Sequence, residues 1–308
     1  IDRELAGRAA GMARDAVIAD VRDRRRLSSV FGQARPELVF HAAALKHVPL
    51  VESNIFEGVA TNVMGTVNVA DAAKAAGAEV LVLISTDKAV NPTNVMGASK
   101  RIAESYCQAL DLEHGDGPET RFVTVRFGNV LGSTGSVVEL FRDQLAHGGP
   151  LSVTHPDMTR YFMTTHEAVE LVLQASALGS GAKQGEGRIF VLDMGEPVRI
   201  MDLASQMIRL AGMEPGKDVQ IEIVGPRPGE KLFEETLYGD ETLLPTACKG
   251  ILLAAPKANP LATVTAGIEA LSDALAEDDQ KRLMEIIRAM VPEYHPPKYD
   301  APKSSAAE

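Results

Sequence analysis

A short stretch of this chain brings a hydroxyl, a carboxylate and two amines close together: Thr86, Asp87, Lys88 and, beyond a polar turn, Lys100. Such groups move protons. A carboxyl serves as acid or base, an amine serves as base once its pKa is lowered, and a hydroxyl donates to an oxygen on which charge develops. An adjacent Asp-Lys pair also occurs in ordinary solvated turns, so the chemistry depends on what holds the four groups in place. Val80–Ile84 is short and β-branched, which reads as a buried parallel strand. Ser85 to Lys88 leave its carboxyl end, the end at which open α/β sheets bind ligands. The turn Asn91-Pro92-Thr93-Asn94 then reverses the chain into a helix whose first turns hold Met96, Gly97, Ser99 and Lys100.

The segment STDKAVNPTNVMGASKR, residues 85–101, resembles the active-site segment of the extended short-chain dehydrogenase/reductases. Within them it is most similar to the UDP-N-acetylglucosamine 4,6-dehydratases of capsule and polysaccharide biosynthesis, and the similarity runs from about residue 17 to about residue 235. The resemblance implies an α/β fold: a Rossmann-like doubly wound parallel sheet, lacking its first strands in this chain, with a small α/β substrate lobe. It implies NAD or NADP, tightly bound and regenerated in each turnover, and a UDP-sugar substrate. Water is hard to eliminate across C5 and C6 of a sugar because the C5 proton is not acidic; oxidation of C4 to a ketone makes it so. By resemblance, Lys88 takes that proton, its pKa lowered by Lys100 and partial burial, while a protonated Asp87 donates to the departing C6 hydroxyl. Thr86 hydrogen-bonds the C4 oxygen and Lys100 binds the nicotinamide ribose. Spacing alone does not distinguish base from acid. Where most of the superfamily has Tyr-x-x-x-Lys, this chain has Met96-Gly97-Ala98-Ser99-Lys100. A thioether carries no proton, so Met96 is expected to line the site without transferring one. The methionine-containing long-form branch implies retention at C5.

The remaining site residues sit on predicted elements in order. Asp20 and Val21 follow a predicted strand at 15–18, and the resemblance places them around the adenine; alternatively Asp20 caps the helix Arg24–Ala34. Residues 38–40 read as a buried strand, followed by the small-residue turn Ala42-Ala43-Ala44, which with Ser85 is expected to admit the pyrophosphate and nicotinamide ribose. Lys46 is placed by resemblance near the sugar and its phosphates, and His47 is left open. Asn62 falls inside a predicted helix at 54–76, where asparagine is a poor helix former and calls for a tertiary partner. The resemblance puts Asn129, after a strand at 122–127, on the substrate, and Arg160 at the rim of the lobe. Residues 225–231, GPRPGEK, form a stiff loop suited to hold Arg227 against a diphosphate, with Glu230 on the nucleoside ribose; an exposed charged turn is the alternative.

With 308 residues, 45% hydrophobic and 24% charged, the chain has room for a main domain and a smaller lobe. The expected division is a truncated NAD(P)-binding domain at 1–150, a substrate lobe interleaved with returning core elements at 151–290, and a disordered tail at 291–308. A net charge of −11 argues against nucleic acid or an anionic membrane surface as partner. Cys107 and Cys248 are isolated, without metal spacing, and suit a reducing, cytoplasmic compartment. No window approaches the roughly 20 apolar residues of a membrane span. No G-x-G-x-x-G precedes a helix, so the chain reads as an N-terminally truncated piece of a longer protein, expected on the cytoplasmic face of the inner membrane because many such relatives carry spanning helices upstream. A homo-oligomer is expected. Two other activities share these residues: a C4 epimerase, which needs no Asp-Lys pair, and a non-catalytic nucleotide-binding module.

Overall fold

The computed structural model describes residues 11–113, 120–133, 135–181, 187–227, 229–235, 243–254 and 258–296. In chain order its strands are β1 (Leu38–His41), β2 (Val80–Ile84), β3 (Arg121–Arg126), β4 (Asn129–Val130), β5 (Leu151–Val153), β6 (Thr159–Arg160), β7 (Phe162–Met163), β8 (Ile189–Leu192), β9 (Val198–Arg199), β10 (Ile221–Ile223), β11 (Leu244–Pro245) and β12 (Ile251–Ala254). Six of them form the main sheet in the order β1-β2-β3-β8-β12-β11. β1, β2, β3 and β8 run parallel, Leu81 standing opposite both Val39 and Phe122, and β12 and β11 return antiparallel at the far edge.

β2 sets the layers. Its period of two sends Leu81 and Leu83 to one face and Val80 and Val82 to the other, all at 5% exposure or less. Each such side chain stabilises the fold by roughly 1.5–3 kcal/mol when fully buried. The leucine face meets the helices Arg24–Ala34, Gly65–Ala76, Val95–Leu112, Leu261–Ala276 and Gln280–Met290; the valine face meets Thr165–Ser180. The sheet is therefore covered on both sides, as in the doubly wound folds. A third cluster joins the helices Val137–Ala146 and Ile200–Leu210 to β5 and β10, and forms a lobe over the carboxyl ends of the main strands.

Several expectations need correction. Residues 15–18 form no strand among the described residues: they are exposed and pair with no neighbour, and an extended segment without a ladder partner leaves its backbone to water. β1 is buried on one face only, because Thr165–Ser180 covers β2 and β3 and stops short of β1, so Leu38 and Phe40 remain 46% and 42% exposed. The helix predicted at 54–76 is interrupted by a π-turn, Ala60–Met64, between Ile55–Val59 and Gly65–Ala76. Val291 and Tyr294 belong to the core instead of a tail, and the backbone N–H of His295 donates to Pro92 O at 3.0 Å. Residues 297–308, and most of the helix-like start at 1–12, lie outside the described residues.

Candidate active site

The helix Val95–Leu112 positions the site. Asn94 caps it, its Oδ1 accepting from Gly97 N at 2.8 Å. Glycine at 97 is required by contact: a Cβ there would collide with the carbonyl oxygen of Lys88, so only glycine lets the helix start against the turn that carries the acid–base residues. Met96, Lys100 and Glu104 then follow at intervals of four on one face of the helix. Met96 and Lys100 reach a cavity of about 490 Å³ at the carboxyl ends of β1, β2 and β3, roofed by the lobe. Ala42 and Ala44 come from the first strand end, Ser85, Thr86 and Lys88 from the second, and Gly128 and Asn129 from the third; Arg160, Arg227 and Glu230 line it as well. Lys46 and His47 also line it, both exposed.

Thr86, Asp87 and Lys88 are bonded to one another. Asp87 Oδ1 accepts from Thr86 Oγ1 at 2.8 Å and from Lys88 Nζ at 3.0 Å, while Lys88 Nζ also donates to Asn129 Oδ1 at 3.2 Å. Asp87 is 3% exposed and stands one layer behind the cavity wall, so it meets the cavity through the Thr86 hydroxyl and the Lys88 amine. Its Oδ2, buried against Gly128, accepts no hydrogen bond. Lys100 donates from Nζ to the carbonyl of Ile84 at 2.7 Å. Burial lowers its pKa to about 8, against a partial upward pull from Glu104 and Cys107. Lys88 goes the other way. Burial pushes its amine down, but the carboxylates of Asp87 and Glu234 outweigh that and hold its pKa above the ordinary lysine value, with Arg160 opposing. The expected lowering of Lys88 by Lys100 is therefore overturned: Lys88 is a charged amine in this state, and Lys100 is the lysine with depressed basicity.

Other residues differ from expectation in place. Arg160 is buried rather than at the rim, its guanidinium donating to Thr159 O, Leu232 O and Lys231 O and paired with Glu230 Oε1 and Glu234 Oε1, each at 3.5 Å. Glu230 Oε2 accepts from Arg227 N at 3.1 Å, while the Arg227 side chain stays exposed at the cavity. Asn62 has the tertiary partners its propensity demanded: Oδ1 accepts from Leu45 N at 2.8 Å, and Nδ2 donates to Leu45 O and Ser99 Oγ, both at 3.0 Å, so it braces the turn after β1 against the site helix. Ala43 does not line the cavity. Asp20 and Val21 lie outside it as well. Asp20 is engaged by Arg22 at 2.7 Å, whose hydrogen bonds hold its pKa at about 2, and the cap of the helix Arg24–Ala34 is Asp23, not Asp20.

Two carboxylates of this neighbourhood escaped sequence reasoning. Glu104, fully buried, accepts from Ser85 Oγ at 2.6 Å and forms a two-point pair with Arg126 at 2.8 and 2.6 Å, locking the strand ends to the helix. Burial alone would raise its pKa, but Arg126, Arg101 and Ser85 hold it below the usual range. Its signal was present in the Met-x-x-x-Lys-x-x-x-Glu spacing. Glu234 gave none, because it lies in an irregular loop where no periodicity applies.

The polysaccharide biosynthesis protein family matches residues 1–256. The chain belongs to that family. Capsular polysaccharide biosynthesis protein CapD of Staphylococcus aureus is 56% identical over 225 residues, 73% of this chain and 36% of CapD, so the chain spans about a third of that relative's length. The UDP-N-acetylglucosamine 4,6-dehydratase (inverting) of Campylobacter jejuni is 36% identical over 228 residues, 74% of this chain and 63% of the enzyme. Among solved structures, Pen from Bacillus thuringiensis superposes with a TM-score of 0.71 at 33% identity, covering 83% of this chain and 75% of its own. The chain is thus a polysaccharide biosynthesis protein of the capsule type, with the Rossmann fold of the extended short-chain dehydrogenase/reductases. No helix among the described residues is long and apolar enough to cross a membrane.

Proposed function

We propose that the protein is a nucleotide-sugar 4,6-dehydratase that converts UDP-N-acetylglucosamine, or a similar UDP-hexosamine, to the 4-keto-6-deoxy sugar nucleotide. The observation that carries this reading is the bonded Thr86–Asp87–Lys88 cluster, whose hydroxyl and amine line a cavity that Arg227 also lines. An epimerase would have no task for a hydrogen-bonded acid and base in that position.

The residues present fit the nicotinamide half of NAD or NADP. The small turn Ala42 and Ala44, Ser85 and Met96 leave room along one wall, and Lys100, with one N–H on Ile84 O, keeps donors for a ribose. When bound, the cofactor would take up the hydride of C4, oxidising that alcohol to a ketone, and would give it back at C6 once water has left. Thr86, on the wall, can donate to the C4 oxygen and hold it in line. The elimination then needs a neutral amine and a protonated carboxyl. One proton moved from Lys88 Nζ to Asp87 Oδ1 across their 3.0 Å contact yields both at once, with no change in net charge. Lys88 takes the C5 proton, the C5–C6 double bond forms as the C6–O bond breaks, and the proton on Asp87 passes through the Thr86 hydroxyl to the departing oxygen, so one water leaves; Lys88 then gives a proton back to C5 as the hydride arrives at C6, and the proton lost by the C4 hydroxyl recharges the pair. The pair returns to the charged form seen here. Arg227, which lines the cavity with Lys46 and whose backbone Glu230 braces, holds the diphosphate in this reading. Asn129 fixes Lys88 and faces the substrate. Asp20 and Val21, outside this cavity, are left to the adenine end.

Mass analysis of UDP-N-acetylglucosamine after incubation with the protein and NAD tests the reading. A product lighter by one water is expected; conversion without a change in mass would identify an epimerase instead.

A further inference from the structure

Lys88 is held from two sides, by Asp87 and by Glu234. Asp87 belongs to its own turn. Glu234 arrives from the loop 229–235, its Oε1 3.4 Å from Lys88 Nζ and 3.5 Å from Arg160 Nε, while its Oε2 is buried without a hydrogen-bond partner. That loop is fixed independently. Gly229 O accepts from Asn94 Nδ2 at 2.9 Å and Thr93 Oγ1 at 3.0 Å, and Lys231 Nζ donates to Val90 O at 3.0 Å, so Glu234 is delivered by a rigid strap tied to the turn just before the site helix. The strap leaves no slack at its first residue, since a Cβ on Gly229 would stand 2.7 Å from Asn94 Cβ. A carboxylate 7% exposed, brought this close to a buried amine by a fixed loop, is an unusual expense for a fold that already pairs Arg160 with Glu230. The groups that face Lys88 are Asp87 and Thr86 from its own turn, Asn129 from β4, Glu234 from the strap and, beyond Glu234, Arg160 from β6.

We propose that Glu234 is a positioning residue for Lys88: bridging Lys88 to Arg160, it fixes the amine on the cavity wall and keeps it charged between turnovers. This inference rests on the dehydratase reading for its catalytic meaning. The electrostatic link it asserts is present with or without turnover. Glu234 touches no reacting atom; its effect on the reaction passes through the amine.

The test is the titration of Lys88 itself, followed by NMR in protein carrying ε-carbon-labelled lysine, the Lys88 signal being identified by its loss in Lys88→Arg. In Glu234→Gln the Lys88 titration is expected to move down by about one pH unit, the usual scale for losing one adjacent opposite charge. The rising limb of the pH–rate profile for UDP-N-acetylglucosamine turnover is expected to move with it. Arg160→Gln reads the same link with opposite sign, removing the cation that offsets Glu234 and moving the Lys88 titration upward, and it serves if Glu234→Gln does not fold. An unchanged Lys88 titration in the folded variants would overturn the proposal, whatever happened to activity. Absence of turnover in the parent protein would instead overturn the dehydratase reading and leave the titration to decide the role of Glu234.

Discussion

Lys88 and Lys100 start from the same ordinary basicity and separate because of their neighbours. Lys100 sits on an apolar helix face with a carbonyl as its hydrogen-bond acceptor, so burial prevails and its pKa falls to about 8 from 10.5. Lys88 has two carboxylates within 3.4 Å and stays charged. The sign of the consequence for stability follows. Between about pH 8 and 10.5 the unfolded chain still holds the Lys100 proton and the folded chain has released it, so the Lys100 contribution to stability rises with pH across that window. Denaturant melts of the wild type and Lys100→Met as a function of pH are expected to diverge there in that direction; parallel curves would refute the depressed value. At this scale the sequence was informative about which residues meet and silent about their charge. STDK and GASK named the amines and the carboxyl, but the setting of Lys88 depends on Glu234, which arrives from a distant loop that no local pattern ties to Lys88.

At the scale of elements, the strands β2 and β3 and the helix Val95–Leu112 act as a unit, β2 joined to the helix at Gly97 and through Ser85–Glu104, β3 through the pair Glu104–Arg126. Gly97→Ala would force the helix off the Lys88 backbone. A loss of about 1–3 kcal/mol in stability is expected, with a fall in turnover larger than the stability change explains, because the shift lands on the acid–base turn. Urea melts alongside turnover measurements check this. Glu104→Gln leaves Arg126 as a buried charge short of its partner, an expected loss of about 3–5 kcal/mol, visible in the same melts. The central strand and helix were legible because their periods are clean: β2 is a β-branched run ended by polar residues, and the helix repeats at four. The predicted strand at 15–18 failed for a different reason. A short apolar run is compatible with a strand, but a ladder partner makes it one.

For the whole molecule, the most consequential feature is the helical pair Leu261–Ala276 and Gln280–Met290, which covers the outer side of the site helix with Val264, Ile268, Leu271, Leu283 and Ile287. The sequence after residue 240 reads as variable, and nothing in it says against what those apolar faces pack; only the fold shows that they shield Val95–Leu112. That side of the helix is thus occupied by the chain itself. Removal of residues 258–308 is expected to expose it and to produce self-association detectable by light scattering, and Leu271→Ala is expected to cost about 2–5 kcal/mol in urea melts.

The proposed dehydration turns on removal of the C5 proton by Lys88 in the cavity shared with Arg227. The most direct measurement is the mass of the product formed from UDP-N-acetylglucosamine by wild-type protein and by Lys88→Ala, each with NAD and at matched folded concentration. Loss of one water is expected with the wild type, and a rate at least about 100-fold lower in the variant, the lower end of what a general base contributes. Dehydration by Lys88→Ala at the wild-type rate would contradict it.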